Sequence, residues 1–111
     1  ADNCDVIYVP TDNTVAENTG IIDNVCAPKK VPVIAGEEGI CKGCGVATLS
    51  ISYYDLGYAT GKMAVKVLKG EADISTLAIG YAETQTPKYN KAICDALGIT
   101  PLEGYVAIED N

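Results

Sequence analysis

Two adjacent acids, Glu37 and Glu38, stand between glycines in Val31-Pro32-Val33-Ile34-Ala35-Gly36-Glu37-Glu38-Gly39, where an apolar run stops. Carboxylates in that setting have little structural reason to be paired, and one of them can bind an ammonium group through a charge-assisted hydrogen bond. Thr11, Asp12 and Asn13 follow a similar run, Val6 to Val9, and Tyr53, Tyr54 and Asp55 follow a third, Val46 to Ile51. In open parallel sheets small ligands sit in the crevice beyond the carboxyl ends of the strands. If the three runs are strands, their ends converge on one site. Asp and Asn also stabilise ordinary turns, so a purely structural use of Asp12 and Asn13 stays open. Tyr8, Tyr53, Tyr54 and Tyr58 bring aromatic surface near the same ends, and apolar surface with a few polar anchors is the usual make-up of a small-molecule pocket. Half-buried packing is the commoner use of such tyrosines.

Cys41-Lys42-Gly43-Cys44 has the spacing of a redox or zinc-binding pair. A redox pair needs a strand-to-helix setting and a depressed thiol pKa, and zinc needs two further ligands. The chain has no histidine and no second CxxC, so metal and His-based catalytic readings weaken together. With five cysteines, at least one is unpaired within the chain. Gly57 to Met63 has one spacer too few for a phosphate-binding loop and falls inside a helical pattern, so it is set aside.

The elements that would position these groups alternate. Val6 to Val9 reads as a central strand buried on both faces. Thr14 with Glu17 forms a capping-box pattern that predicts a helix running to Pro28. Val31 to Ala35 is a second strand, the Ile40 to Gly45 segment a loop or one helical turn, and Val46 to Ile51 a third strand. The strongest helical pattern follows, with Leu56, Met63, Ala64, Val67 and Leu68 on one stripe and Gly70 as a left-handed cap. A loop over Glu71 to Thr76, a short strand over Leu77 to Ala82 broken at Thr84-Gln85-Thr86-Pro87, a helix capped by Asn90 and closed by Gly98, and a loosely specified tail complete an α/β domain.

At 111 residues the chain suits one domain with a modest core. A net charge of −7 with eight scattered lysines excludes a phosphate-tracking face, so no nucleic-acid partner is expected. No apolar run is long enough for a membrane helix. The opening Ala1-Asp2-Asn3-Cys4, with a strand two residues later, reads as the downstream part of something longer.

Together, Tyr8 to Thr14, Pro32 to Ile34 with Gly36-Glu37-Glu38-Gly39, and Tyr53-Tyr54-Asp55-Leu56-Gly57 with Thr60 to Ala64 resemble the ABC-transporter substrate-binding proteins of the tryptophan and tyrosine uptake type. The resemblance runs from about Cys4 to Gly98. It implies a parallel sheet flanked by helices, the C-terminal lobe of a type I periplasmic-binding fold, with residues 1–111 as one lobe of a two-lobed protein. It also implies that the helix over residues 54–70 crosses to the other lobe. On this likeness Thr11, Asp12, Asn13, Glu37, Glu38 and Tyr53 bind the ligand, with Glu38 and Glu37 where related proteins hold an ammonium group and Tyr53 toward the hinge. Ser52 stands where such proteins commonly have an aspartate. The function implied is non-enzymatic: delivery of an amino acid, aromatic in kind, to an ABC permease outside the cytoplasm, often through a lipid anchor outside this chain. No cofactor or metal is expected. An apolar stripe left uncovered on the long helix would favour a homodimer of the isolated chain. A thiol redox protein using Cys41 and Cys44, and a sensory receptor lobe on the same fold, are the alternatives.

Overall fold

The computed structural model describes residues 1–109, and the last two residues of the expected tail, Asp110 and Asn111, lie outside them. The chain divides into two compact units, one made of Ala1–Ser50 with the stretch from Thr86 onward, the other of Ile51–Gln85.

The first unit is built on a five-stranded sheet in the order β1 (Ile7–Val9), β2 (Val33–Ala35), β3 (Ala47–Ile51), β4 (Gln85–Tyr89), β5 (Val106–Ala107). β1, β2 and β3 run parallel, with Ile7 opposite Val33 and Ile34 opposite Ala47. β4 and β5 are parallel to one another, Lys88 opposite Val106. The residue after β4, Asn90, donates its backbone N–H to Val46 at the amino end of β3, so β4 runs against β3 and the sheet is mixed.

Alternation decides which face is buried. Val9, Val33, Ala35, Thr48 and Ser50 are buried, whereas Tyr8, Ile34 and Leu49 between them are exposed. The buried side meets α1 (Asn13–Ala16), α2 (Thr19–Cys26) and α3 (Glu38–Cys44), whose Cys26, Ile40, Cys41 and Cys44 close a core with Val9, Val33 and Ala35. Ile40 is completely enclosed, a burial that contributes about 1.5–3 kcal/mol. β1 was expected to be central and covered on both faces. It is an edge strand with Tyr8 66% exposed, because its apolar run serves one packed face and one open face.

Three further expectations are corrected. The Thr14–Glu17 capping box does not form. Asp12 caps α1 by accepting from the Val15 N–H at 2.8 Å, Glu17 ends that helix, and α2 restarts at Thr19. The glycine-rich segment around Cys41 is neither a loop nor a single turn but the seven-residue α3. Its Gly43 is there for close packing: a Cβ at that position would lie 2.1 Å from Thr19 Oγ1 of α2. The short strand expected over Leu77 to Ala82 is absent, and the segment read as its breaker is β4. β5 falls within the segment read as a loosely specified tail. As expected, Asn90 caps α5 (Lys91–Leu97) by accepting from the Ile93 N–H, and Gly98 ends it with φ of 71°.

The second unit is α4 (Tyr53–Leu68) and the irregular chain after it. Ser52 caps α4 by accepting from the Asp55 N–H at 3.1 Å, and Gly70 follows in the left-handed region. No residue from 51 to 85 is buried. Leu56, Met63 and Val67 of the apolar stripe are half-buried, whereas Leu68, with Tyr54, Ile79 and Tyr81 outside the stripe, is about four-fifths exposed.

Candidate functional site

The ends of β1 and β2 are tied together. Gly36 donates its N–H to the Val9 carbonyl at 2.7 Å, and Thr11 Oγ1 donates to the Gly36 carbonyl at 3.3 Å. Position 36 admits only glycine, since a Cβ there would come within 2.6 Å of the Thr11 nitrogen. Thr11, Asp12, Asn13, Glu37 and Glu38 are thus gathered at two neighbouring strand ends, as the sequence predicts. Their side chains are not equivalent. Asp12 is used by the α1 cap, and Asn13 is the exposed first residue of that helix. Glu37 turns back on its own helix, where its carboxylate accepts from the Gly39 N–H at 2.9 Å and from the Ile40 N–H. It therefore has the structural use that the sequence reading denied it.

Glu38 does something different. Its Oε2 accepts from Lys88 Nζ at 2.7 Å and from Ser50 Oγ at 3.2 Å. Both members of the ion pair are partly exposed, at 38% for Glu38 and 27% for Lys88. They line a cavity of about 290 Å³ with Val106, Ala107 and Glu109. Lys88 and Ser50 were missed in the sequence. The available signal was the alternation of Thr48 and Ser50 within β3, which places hydroxyls on the face that is otherwise core, and a lysine inside the strand-forming Gln85–Tyr89.

Tyr53, Tyr54 and Tyr58 lie on α4 in the second unit, all more than half exposed. Half-buried packing does not describe them. Lys62 Nζ sits 5.3 Å from the centre of the Tyr58 ring, within cation–π range. A separate cavity of about 260 Å³ is lined there by Asp55, Tyr58, Lys62, Glu83 and Thr84, among others.

The thiols do not suit redox chemistry. All five cysteines are free, and only Cys4 is exposed. Burial pushes the Cys41 thiol up from 9.0 to about 12, with the neighbouring Cys94 and Cys44 adding to the rise. Burial and then Asp23 push Cys44 to about 11. A nucleophilic thiol needs the opposite shift. Among the described residues no group of three or more His, Cys, Asp or Glu side chains is placed to hold a metal.

The family of ABC transporter substrate binding proteins matches residues 1–108. The chain belongs to that family. A "Tyrosine-binding protein" of Clostridioides difficile (strain R20291) is 41% identical over 68 residues, covering 61% of this chain and 20% of the relative. Among solved structures, an ABC domain in complex with L-Trp from Streptococcus pneumonia superposes with a TM-score of 0.77 at 34% identity, covering 95% of this chain and 37% of that one. The ligand-free, open structure of a substrate binding protein with adhesive properties from Clostridium difficile gives a TM-score of 0.71 at 35% identity, covering 96% and 36%. A conserved domain protein from Vibrio cholerae gives 0.79 at 26% identity, covering 96% and 37%. The α/β sheet with flanking helices is the fold of these substrate-binding protein domains. The chain spans little more than a third of the solved relatives and a fifth of the curated one.

Proposed function

We propose that the chain is part of the solute-binding component of an ABC importer and that it binds an aromatic amino acid in a cleft between two lobes. The observation that carries this reading is the 34% identity, at a TM-score of 0.77, to a domain solved with L-Trp. The curated Tyrosine-binding protein points to the same ligand class. Thr11, Asp12, Asn13, Glu37 and Glu38 form one wall of the cleft, and Tyr53 belongs to the hinge.

Residues 1–111 belong to one lobe of that protein, and the helix over residues 54–70 crosses to the other lobe, which supplies further cover for its apolar stripe. The absence of any buried residue from 51 to 85 supports that assignment. In the isolated 111-residue chain the same stripe drives formation of a homodimer, and sedimentation of a monomer at high concentration argues against this. The two-lobed protein works outside the cytoplasm, held by a lipid anchor beyond this chain, and hands its solute to a permease after cleft closure. No catalytic step is required.

Thermal denaturation of the two-lobed protein against the twenty amino acids tests the reading. A ligand at about 100 times its dissociation constant adds about 2.7 kcal/mol to stability. L-tyrosine or L-tryptophan is expected to raise the melting temperature. If neither does, the proposal fails.

A further inference from the structure

We infer that Glu38 clamps together the two strands through which the chain leaves and re-enters its first unit, and that Ser50 and Lys88 are positioning residues for cleft closure. The inference rests on the two-lobed solute-binding reading above and adds to it the residues that fix the hinge.

The chain leaves the first unit between Ser50 and Ile51 and returns to it between Gln85 and Thr86. Ser50 is therefore the last residue of β3 inside the first unit, and Lys88 stands on β4 just after the return. Both donate to one atom: Glu38 Oε2 accepts from Ser50 Oγ at 3.2 Å and from Lys88 Nζ at 2.7 Å. That carboxylate stands on α3, a helix seated in the core, where Ile40 and Cys41 are completely enclosed. Asn90 fastens the far end of β4 to the same helix, its Nδ2 donating to the Lys42 carbonyl at 2.9 Å. Exit and return are thus both tied to one fixed element, although the whole of the second unit lies between them in the chain.

The clamp limits where the chain can bend. Ser52 caps α4 by accepting from the Asp55 N–H at 3.1 Å, so Ile51 alone stands between the residue held by Glu38 and the residue that starts the helix. On the return, Pro87 has its φ fixed at about −65° by its ring and Lys88 is held, which leaves Gln85 and Thr86. Domain closure is commonly absorbed by a few such residues at the ends of elements. With the clamp in place, closure turns about these three positions. Without it only the strand ladder relates the end of β3 to the start of β4, and the open state spreads over more orientations. Ordering those orientations on closure costs free energy that the ligand has to supply. The Glu38–Lys88 pair is partly exposed, and such pairs contribute little, so affinity changes modestly while the spread of the open state is the direct signature.

Single-molecule energy transfer between one dye on each lobe of the two-lobed protein tests this. The ligand-free, unaltered protein is expected to give one narrow distance distribution. Lys88→Met and Ser50→Ala should each broaden it, and the double variant should broaden it no further, because either loss already frees one crossing from the other. Lys88→Arg keeps the charge and should keep the distribution narrow. Lys91→Met removes the exposed Lys91–Asp95 pair of α5, away from both crossings, and should also leave it narrow. In titration calorimetry with L-tyrosine and L-tryptophan, Lys88→Met should weaken binding by up to about fivefold, since a partly exposed ion pair transmits little more. If Lys88→Met and Ser50→Ala leave the width unchanged, or if Lys91→Met broadens it as much, the inference is overturned whatever happens to affinity. The width is read without ligand, so the two readings fail separately: an unaltered protein that binds neither amino acid sinks the amino-acid reading, and the ligand-free distributions still decide the clamp.

Discussion

Replacing Gly36 by alanine probes the joint between β1 and β2 on which the candidate site depends. The added Cβ would lie 2.6 Å from the Thr11 nitrogen and 2.9 Å from the Pro10 carbonyl carbon. These are backbone atoms, so no side chain can swing away, and the strand ends must part by several tenths of an ångström. Parting them strains the Gly36 N–H bond to Val9 at 2.7 Å and the Thr11 hydroxyl bond to Gly36 at 3.3 Å. Overpacking of this kind costs about 1–3 kcal/mol, and a lost hydrogen bond adds about 1 kcal/mol. Gly36→Ala should therefore destabilise the protein by about 2–4 kcal/mol in urea denaturation followed by circular dichroism, and it should weaken amino-acid binding because Thr11 and Asp12 move with the strand end. Gly20→Ala in α2 is the control. Its Cβ meets nothing within 4 Å, so the loss of unfolded-chain entropy dominates and the variant gains up to about 1 kcal/mol. Equal stability of Gly36→Ala and the unaltered protein, with Gly20→Ala behaving as stated, would refute the close-approach reasoning.

Glu37→Ala removes the acceptor for two α3 amides and should cost about 1 kcal/mol in the same denaturation assay, with Glu37→Gln losing less because it keeps an oxygen. Native protein should expose one fast-reacting thiol, Cys4, to a chromogenic disulfide reagent, and all five should react in urea; rapid native reaction of Cys41 or Cys44 would restore the redox reading. Alkaline pH should erode stability through Cys41. Unfolded, its thiol ionises near 9.0, whereas folded it keeps its proton to about 12, so the unfolded state sheds protons first and stability falls between those values. At one pH unit above the unfolded value the loss from this thiol is about 1.4 kcal/mol, measured as the part of the pH slope that Cys41→Ala removes.

The first half of the fold was legible because each β-α step there is local. Three apolar runs became β1, β2 and β3, and their ends carried the polar residues that the sequence flagged. The errors came where one residue type serves two purposes. Glycines around Cys41 suggested a loop, yet Gly43 is small so that α3 can approach Thr19 of α2, a contact that no local pattern encodes. Pro87 suggested a break, but β4 forms around it because its neighbours find partners in β5, about eighteen residues further on. The α4 stripe was read correctly as an apolar face, and with Leu56, Met63 and Val67 only half-buried it shows that periodicity reports a need for cover without supplying all of it.

The two neighbouring glutamates show why the site was only half legible. In sequence Glu37 and Glu38 are indistinguishable, and each could serve an ammonium group. The cap geometry separates them: Glu37 is extended, with φ of −155°, and its carboxylate folds back over the Gly39 and Ile40 amides, whereas Glu38 is the first helical residue and projects toward β3 and β4. One carboxylate is used to start the helix that carries the other. What then distinguishes Glu38 from any solvated acid is Lys88, fifty residues away. That pairing depends on β4 lying against β3, the part of the topology for which the sequence held the weakest signal. A site assembled from strands distant in sequence becomes readable only with its sheet order, and here the sheet order turns an isolated acidic turn into a matched pair of opposite charges.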